Sequence, residues 1–247
     1  MGFKIVRHTE RPDLLARWND GAAQVWPEFM LHDDVVNRLW GGLARTYPDC
    51  QLYLIDDAND TLVGVGNTVP VSWDGTVAGL PDGVDDVLLQ AFGQGATPRP
   101  ANALCALQAG LFPVYLNRSL SSVIVNAMRE IAVERGYRAL VAPVRPNQKA
   151  LYPLTPMERY VRWLRSDGLP RDAWLRVHTR LGAEILHLAE RSMVVSGTVT
   201  AWEAWTGLAF PESGEYVVAG ALNPITIDLT ADRGTYVEPN VWMRHPL

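Results

Sequence analysis

The chain has 247 residues, 48% of them hydrophobic, which is ample for a buried core in one large or two small domains. With 22 basic and 27 acidic residues the net charge is −5, which argues against nucleic acid or an anionic membrane surface as the main partner. No apolar run approaches the roughly 18 residues of a membrane span, no signal-peptide core opens the chain, and Cys50 and Cys105 lack metal spacing, so a reducing cytoplasm is the expected setting.

Phe3 to Arg7 alternates as a half-buried strand. Arg11-Pro12-Asp13 opens a helix with Leu14, Leu15, Trp18, Ala22 and Val25 on its apolar face. A second helix is expected over residues 33–44, with Asp33 as N-cap and Val35, Val36, Leu39, Trp40 and Leu43 facing inward. Between them lies an aromatic loop, Trp26 to His32. Glu28, His32 and Asp33 are each either an ordinary cap or solvated group, or a polar-site candidate. Gln51 to Ile55 and Thr61 to Val71 form a hairpin. Gly64 and Gly66 in its second strand mark a bulge or the close approach of a ligand. Residues 73–100 read as an insertion with a short helix at 85–92 and a loop over 93–100, either a lid or a surface excursion.

Leu104 to Phe112 is a strand-like apolar run, and Pro113 ends it. Apolar residues then recur at Leu120, Val123, Ile124, Ala127, Met128, Ile131 and Ala132, one face of a helix, with Arg135 in its last turn and Gly136 as its cap. A buried strand follows at Ala139 to Val144. A helix that begins directly after a strand aims unpaired N–H groups and a positive dipole end at whatever sits above the turn. Ser119, Ser121 and Ser122 are then either plain caps or phosphate ligands, and Arg118 adds a fixed positive charge.

The run Leu111-Phe-Pro-Val-Tyr-Leu-Asn-Arg-Ser-Leu-Ser-Ser122 resembles the cofactor segment of the GNAT superfamily acyltransferases: a strand, a proline, an Arg/Gln-x-x-Gly-x-Gly/Ala loop and a long helix. The family's Arg/Gln falls on Leu116, its first glycine on Ser119 and its second small residue on Ser121. A serine in place of that glycine is tolerated where φ is negative. The resemblance implies acetyl-coenzyme A or another acyl-coenzyme A as cofactor, with its diphosphate held by Asn117, Arg118, Ser119, Leu120, Ser121 and Ser122. It also implies that the strand Gly110 to Phe112, with Leu111 and Phe112 as binding residues, donates to the pantetheine and carbonyl.

Residues 145–170 read as a second insertion, with a helix from Thr155 to Arg165 opened by Thr155 as N-cap, Pro156 and Glu158. Asp172 to Gly182 resembles the family's last helix and puts His178 on the position of its tyrosine, the donor to the departing thiolate. An imidazolium can do that work; a histidine facing only water is the other reading. Tyr152 and Tyr160 are alternative donors, and a water chain ending at Glu28 or His32 is the candidate base. Glu184 to Leu188 and Ser192 to Val199 read as strands. From residue 200 the chain goes past the family core. Tyr216 to Ala219 and Ile225 to Leu229 read as strands, and Trp202, Trp205, Phe210, Tyr236 and Trp242 as packing on the sheet edge in preference to a dimer surface.

The expected fold is therefore α/β of the α+β kind, a mixed, mostly antiparallel sheet flanked by helices. Residues 1–199 form the core and 200–247 a β-rich extension packed on it. The expected function is transfer of an acetyl or short acyl group to the amine of a small molecule, with no metal, nucleic acid or membrane partner and with a homodimer allowed. The alternative is a protein of this fold that binds, hydrolyses or decarboxylates a thioester. No nucleophile elbow, zinc-protease motif or Walker loop competes.

Overall fold

The computed structural model describes residues 2–22, 25–94 and 100–247. In chain order the elements are β1 (Phe3–Arg7), α1 (Leu14–Ala22), α2 (Asp34–Leu39), α3 (Leu43–Thr46), β2 (Gln51–Asp56), β3 (Thr61–Val71), α4 (Val84–Ala91), β4 (Ala103–Leu111), α5 (Leu120–Glu134), β5 (Leu140–Val144), α6 (Met157–Tyr160), α7 (Ala173–Arg180), β6 (Glu184–Gly197), α8 (Val199–Thr206), β7 (Gly214–Tyr216), β8 (Ile225–Asp228) and β9 (Arg233–His245). The strands form one sheet in the order β1-β2-β3-β4-β5-β9-β8-β7, with β6 also paired to β9. Every pairing is antiparallel except that of β4 with β5.

Alternation along the strands sends side chains to two faces. Leu52, Leu54, Val63, Leu104 and Leu140 pack under α5, and Ala142 and Val144 pack with Leu175 of α7. On the opposite face Tyr53, Ile55 and Val65 pack with Leu14 and Trp18 of α1, and Val69, Val71, Cys105 and Val141 pack with α2 and α4. α5 buries Leu120, Ile124, Ala127, Met128, Ile131 and Ala132 as the spacing demands, while Val123 is the one apolar member left exposed. The helix ends at Gly136, whose φ of +68° is the left-handed conformation of a C-terminal cap.

Several elements depart from the sequence-based expectation. The helix over 33–44 opens as predicted, with the Asp33 side chain accepting from Val36 N at 2.8 Å, but a 3₁₀ turn at Trp40–Gly42 splits it into α2 and α3. α4 is neither lid nor surface excursion, because Val84, Val87 and Leu88 are buried in the core between α2 and the sheet; residues 95–99 of the following loop lie outside the described residues. The helix of the second insertion shrinks to α6. Thr155 caps nothing there, and Glu158 pairs with Arg162 instead of closing a capping box. The two strands foreseen at 184–199 are one, β6, interrupted by register shifts, and Val199 already belongs to α8.

The largest correction concerns the C-terminal segment, which is no appendage. β9 lies inside the sheet, paired with β5 through 241–245, with β8 through 233–235 and with β6 along nearly its whole length. Phe29, Trp202, Phe210 and Tyr236 bury themselves where α8 and the β8–β9 region meet.

Gly64 and Gly66 are hemmed in by the neighbouring strands β2 and β4 and by α5, and the register of β3 against β2 shifts beside Gly64, which is the bulge its sequence allowed. A Cβ on Gly64 would strike the Gly110 carbonyl, and one on Gly66 would lie 2.5 Å from Leu52 Cδ1 and 2.8 Å from Met128 Cε. We expect Gly66→Ala to lower stability by about 1–3 kcal/mol through overpacking, read from urea denaturation. Gly64→Ala should cost more, because backbone cannot yield as a methionine tip can.

Candidate active site

β4 and β5 run parallel but stay together only briefly. Their pairing is confined to Leu104 with Leu140 and Cys105 with Val141. Beyond that, β5 follows β9, keeping register from Leu140–His245 to Val144–Val241, while β4 continues to Leu111 against β3. The two strands therefore part toward their C-terminal ends and leave a wedge with an unpartnered β4 edge. At the apex β4 carries a bulge: Thr68 faces Ala106 and Asn67 faces Gln108, so Leu107 is the extra residue. On one face Trp174 of α7 joins the apolar clusters of both limbs.

At the open end the loop after β4 turns into α5. Asn117 and Ser119 both have left-handed backbones, with φ of +61° and +58°. Ser119 thus adopts the conformation that favours the glycine of its family counterpart, and the negative φ that would ease a serine there is not what it has. Its hydroxyl makes no capping bond, so the plain-cap reading fails for it. Ser122 N donates to Ser119 O at 3.2 Å, whereas among the described residues the N–H groups of 117–121 have no acceptor. Two left-handed residues in a turn with free N–H groups make an anion-binding concavity, here at the positive end of a 15-residue helix. Arg118 is exposed, lies 5.4 Å from the Tyr115 ring centroid and has no carboxylate partner among the described residues. Leu111 and Phe112 differ from expectation. The Leu111 side chain enters the core under α5, Phe112 packs on Trp18 with ring centroids 4.9 Å apart, and the Phe112 N–H is spent on Val63 O at 3.0 Å.

The predicted catalytic residues do not converge. His178 is 3% exposed, and its Nδ1 lies 2.8 Å from His245 Nε2, so one ring donates to the other. The far nitrogens, His178 Nε2 and His245 Nδ1, are buried without partners among the described residues. Burial, and then the charge of His245, lowers His178 to about 3, and burial, and then the charge of Arg129, lowers His245 to about 4. At neutral pH His178 is a neutral packed ring and not the imidazolium acid expected of it. Glu28 and His32 pair with each other at 3.1 Å, and His32 stacks on Trp205 of α8 at 4.2 Å, so they belong to the contact with α8. Tyr152 sits on the second insertion against Trp163, and the Tyr160 hydroxyl donates to Asp172 at 2.7 Å. Asp33 is a cap whose Oδ2 is buried beside Asp85, whose Oδ1 is likewise unpartnered; burial raises both carboxyls, as a shared proton requires.

Sequence reasoning missed Gln108. It stands at the bulge, 8% exposed, next to Gly110 and Trp18, and its Oε1 is buried with no partner among the described residues. The available signal was a lone amide inside the apolar run Leu104 to Phe112.

No protein-family model matches the chain. Among curated proteins, the arginine N-acetyltransferase avaD of Aspergillus versicolor is 29% identical, with the alignment covering all of this chain and 94% of that protein. Among solved structures, the loading GNATL domain of CurA from Lyngbya majuscula superposes with a TM-score of 0.60 at 16% identity, over 100% of this chain and 98% of that one. This chain has the GNAT fold. GphF, a GNAT-like decarboxylase solved with isobutyryl-CoA, superposes with a TM-score of 0.57 at 16% identity, over 100% and 99% of the two chains. The strand β4, the loop after Pro113 and the long helix α5 are the segment on which the sequence resemblance rested.

Two measurements test this geometry. Ser119→Gly should keep coenzyme A binding, while Ser119→Pro, whose ring forbids a positive φ, should lose it at unchanged overall fold, as read by calorimetry and circular dichroism. For the histidine pair, the unfolded rings titrate near 6.5 and the folded ones near 3 and 4. Between about pH 6.5 and 4 the unfolded chain takes up protons that the folded chain refuses, so acid removes stability in that window. The raised carboxyls Asp33 and Asp85 act with the opposite sign, so the diagnostic is a difference. His245→Gln should lose less stability than the unaltered chain between pH 6.5 and 4.5 in urea titrations.

Proposed function

We propose that this protein is an acyl-coenzyme A-dependent N-acyltransferase that moves an acetyl or short acyl group to the amine of a small molecule. The observation that carries the reading is the wedge between β4 and β5 together with the unspent N–H groups at the head of α5. A chain bearing a diphosphate needs an anion-binding concavity, and an extended amide-containing arm needs a free strand edge. The two occur here on one strand and the turn that follows it. The relative of 29% identity, an N-acetyltransferase, and the two superposed GNAT-type structures support the same reading.

Coenzyme A supplies the acyl group as an activated thioester. The chain's own part is positioning and polarisation. Backbone N–H groups of 117–121 and the Arg118 guanidinium hold the diphosphate. The β4 edge beyond Cys105 offers its unpaired amides to the pantetheine arm, and the Leu107 bulge turns backbone toward the apex of the wedge. Gln108 fits the role of orienting the acceptor, since a buried carboxamide with an unmet oxygen is the complement of an amine N–H. His178 has a structural role beneath, through His245. Two free, buried cysteines support a reducing cytoplasm, and the net charge of −5 supports a small-molecule acceptor over nucleic acid. No described helix is long and apolar enough to cross a membrane.

The relative's name makes a basic amino acid the first acceptor to try. With acetyl-coenzyme A, release of free thiol should depend on the amine, and mass spectrometry should find the N-acetyl product. Gln108→Leu should lower kcat/KM for the amine by about tenfold or more with coenzyme A affinity unchanged. Thiol release that ignores the amine would point to hydrolysis or decarboxylation, and failure to bind coenzyme A would overturn the reading.

A further inference from the structure

A cavity of about 250 Å³ lies where the second insertion meets α7, and Gln148, Tyr152, Tyr160, Arg165, Arg171 and Arg176 form its polar lining. Three guanidinium groups thus surround one small space, and no carboxylate lines it, in a chain whose acidic residues outnumber its basic ones 27 to 22. The nearby acids are already committed. Asp172 is 2% exposed and accepts from Gln148 N, Trp174 N, Leu175 N and the Tyr160 hydroxyl. Asp167 pairs with Arg165 at 3.4 Å from outside the lining. Arg176 spends one Nη on the carbonyls of Pro170 and Arg171 at 2.9 and 2.8 Å, which fixes its guanidinium in place. Among the described residues the Arg171 side chain has no hydrogen-bond or ion-pair partner, only the field it exerts on Tyr160, and the Tyr152 hydroxyl has no hydrogen-bond partner. Gathering like charges around a cavity is costly unless an anion completes them.

The position of the cavity identifies the anion. β4 and β5 are parallel, so their C-terminal ends reach the same rim of the sheet. The loop into α5 leaves β4 at that rim, and the insertion bearing the arginines leaves β5 at it. The connection with a single arginine, Arg118, and the connection with the three arginines of the pocket thus leave the same end of the parallel pair. The cavity is below the roughly 300–1,000 Å³ that encloses a whole ligand, yet roomy for a phosphate ester. Guanidinium forks are the side chains best matched to such a group.

We propose that this pocket binds a phosphate monoester, supplied in the complex by the ribose 3′-phosphate of the coenzyme whose diphosphate sits on the loop 117–121. The assignment rests on the acyl-coenzyme A reading for its source, but not for its chemistry. Calorimetry with coenzyme A, 3′-dephospho-coenzyme A and inorganic phosphate separates the two. The unaltered protein should bind coenzyme A about tenfold or more tighter than the dephospho form. Arg171→Gln should erase that difference while binding the dephospho form normally, and Arg165→Gln should act likewise; both side chains leave the clamp of Arg176 untouched. Equal affinity of the unaltered protein for the two coenzymes would overturn the 3′-phosphate assignment, as would equal weakening of both by Arg171→Gln. If neither coenzyme binds, the transferase reading fails. The pocket then stands as a free-phosphate site if inorganic phosphate binds the unaltered protein and not Arg171→Gln, and falls if it does not.

Discussion

Everything functional in this molecule follows from the unequal commitments of β5. It keeps five registered pairs with β9 and only two with β4. β9 is in turn anchored on its other edge by β6, so β5 is drawn along the twist of that antiparallel ribbon while β4 remains with β3. The bulge at Leu107 adds local bend and twist to β4 where the two strands separate. Such a gap in the middle of a sheet leaves backbone amides without partners, a cost of the kind that folded proteins rarely tolerate unless water or a ligand meets it.

A buried polar seam keeps the parted limbs from collapsing. Tyr236, Glu238 and Asn240 alternate along β9 on one face. Glu238, fully buried, receives Arg145 Nε at 3.0 and 2.9 Å on its two oxygens and the Tyr236 hydroxyl at 3.0 Å. Arg145 follows directly on β5 and also donates to Gly220 O, while Asn240 accepts from Ser192 at the β6 irregularity, whose Oγ accepts from Val84 N at the start of α4. A fully bonded buried ion pair contributes little net stability, but removing one partner from such a pair is strongly destabilising. The seam therefore fixes where the end of β5 sits, and the second insertion starts from that fixed point.

The parts of the fold that were readable from residue order are those where local and tertiary demands agree. α5 declared itself by an apolar spacing that the core confirms at all but Val123, and the β2–β3 hairpin by its flanking turn residues. The errors have the opposite cause. The helix that carries Trp202 and Trp205 was missed, because eight residues have too few turns to show a period, and Thr198, its N-cap, was taken for strand. β9 was invisible because a strand buried on both faces mixes Glu238, Asn240 and His245 with apolar residues and so loses its alternation. At the site, the loop 117–122 was located through resemblance, whereas its left-handed Ser119 and the neutral state of His178 depend on neighbours far away in sequence. Gln108 and the arginine pocket were not foreseen, since their meaning comes from what fails to face them.

The position of β9 has a consequence for how the chain comes into being. β9 pairs with strands that precede it at a long distance in sequence, so β5 and β6 keep open edges until residues 233–245 dock on them. Such distant pairings form slowly, because the entropy of closing long loops is lost before any contact rewards it. Until β9 docks the sheet is split, with apolar strand edges open to wrong partners, and its arrival joins the two halves in one step.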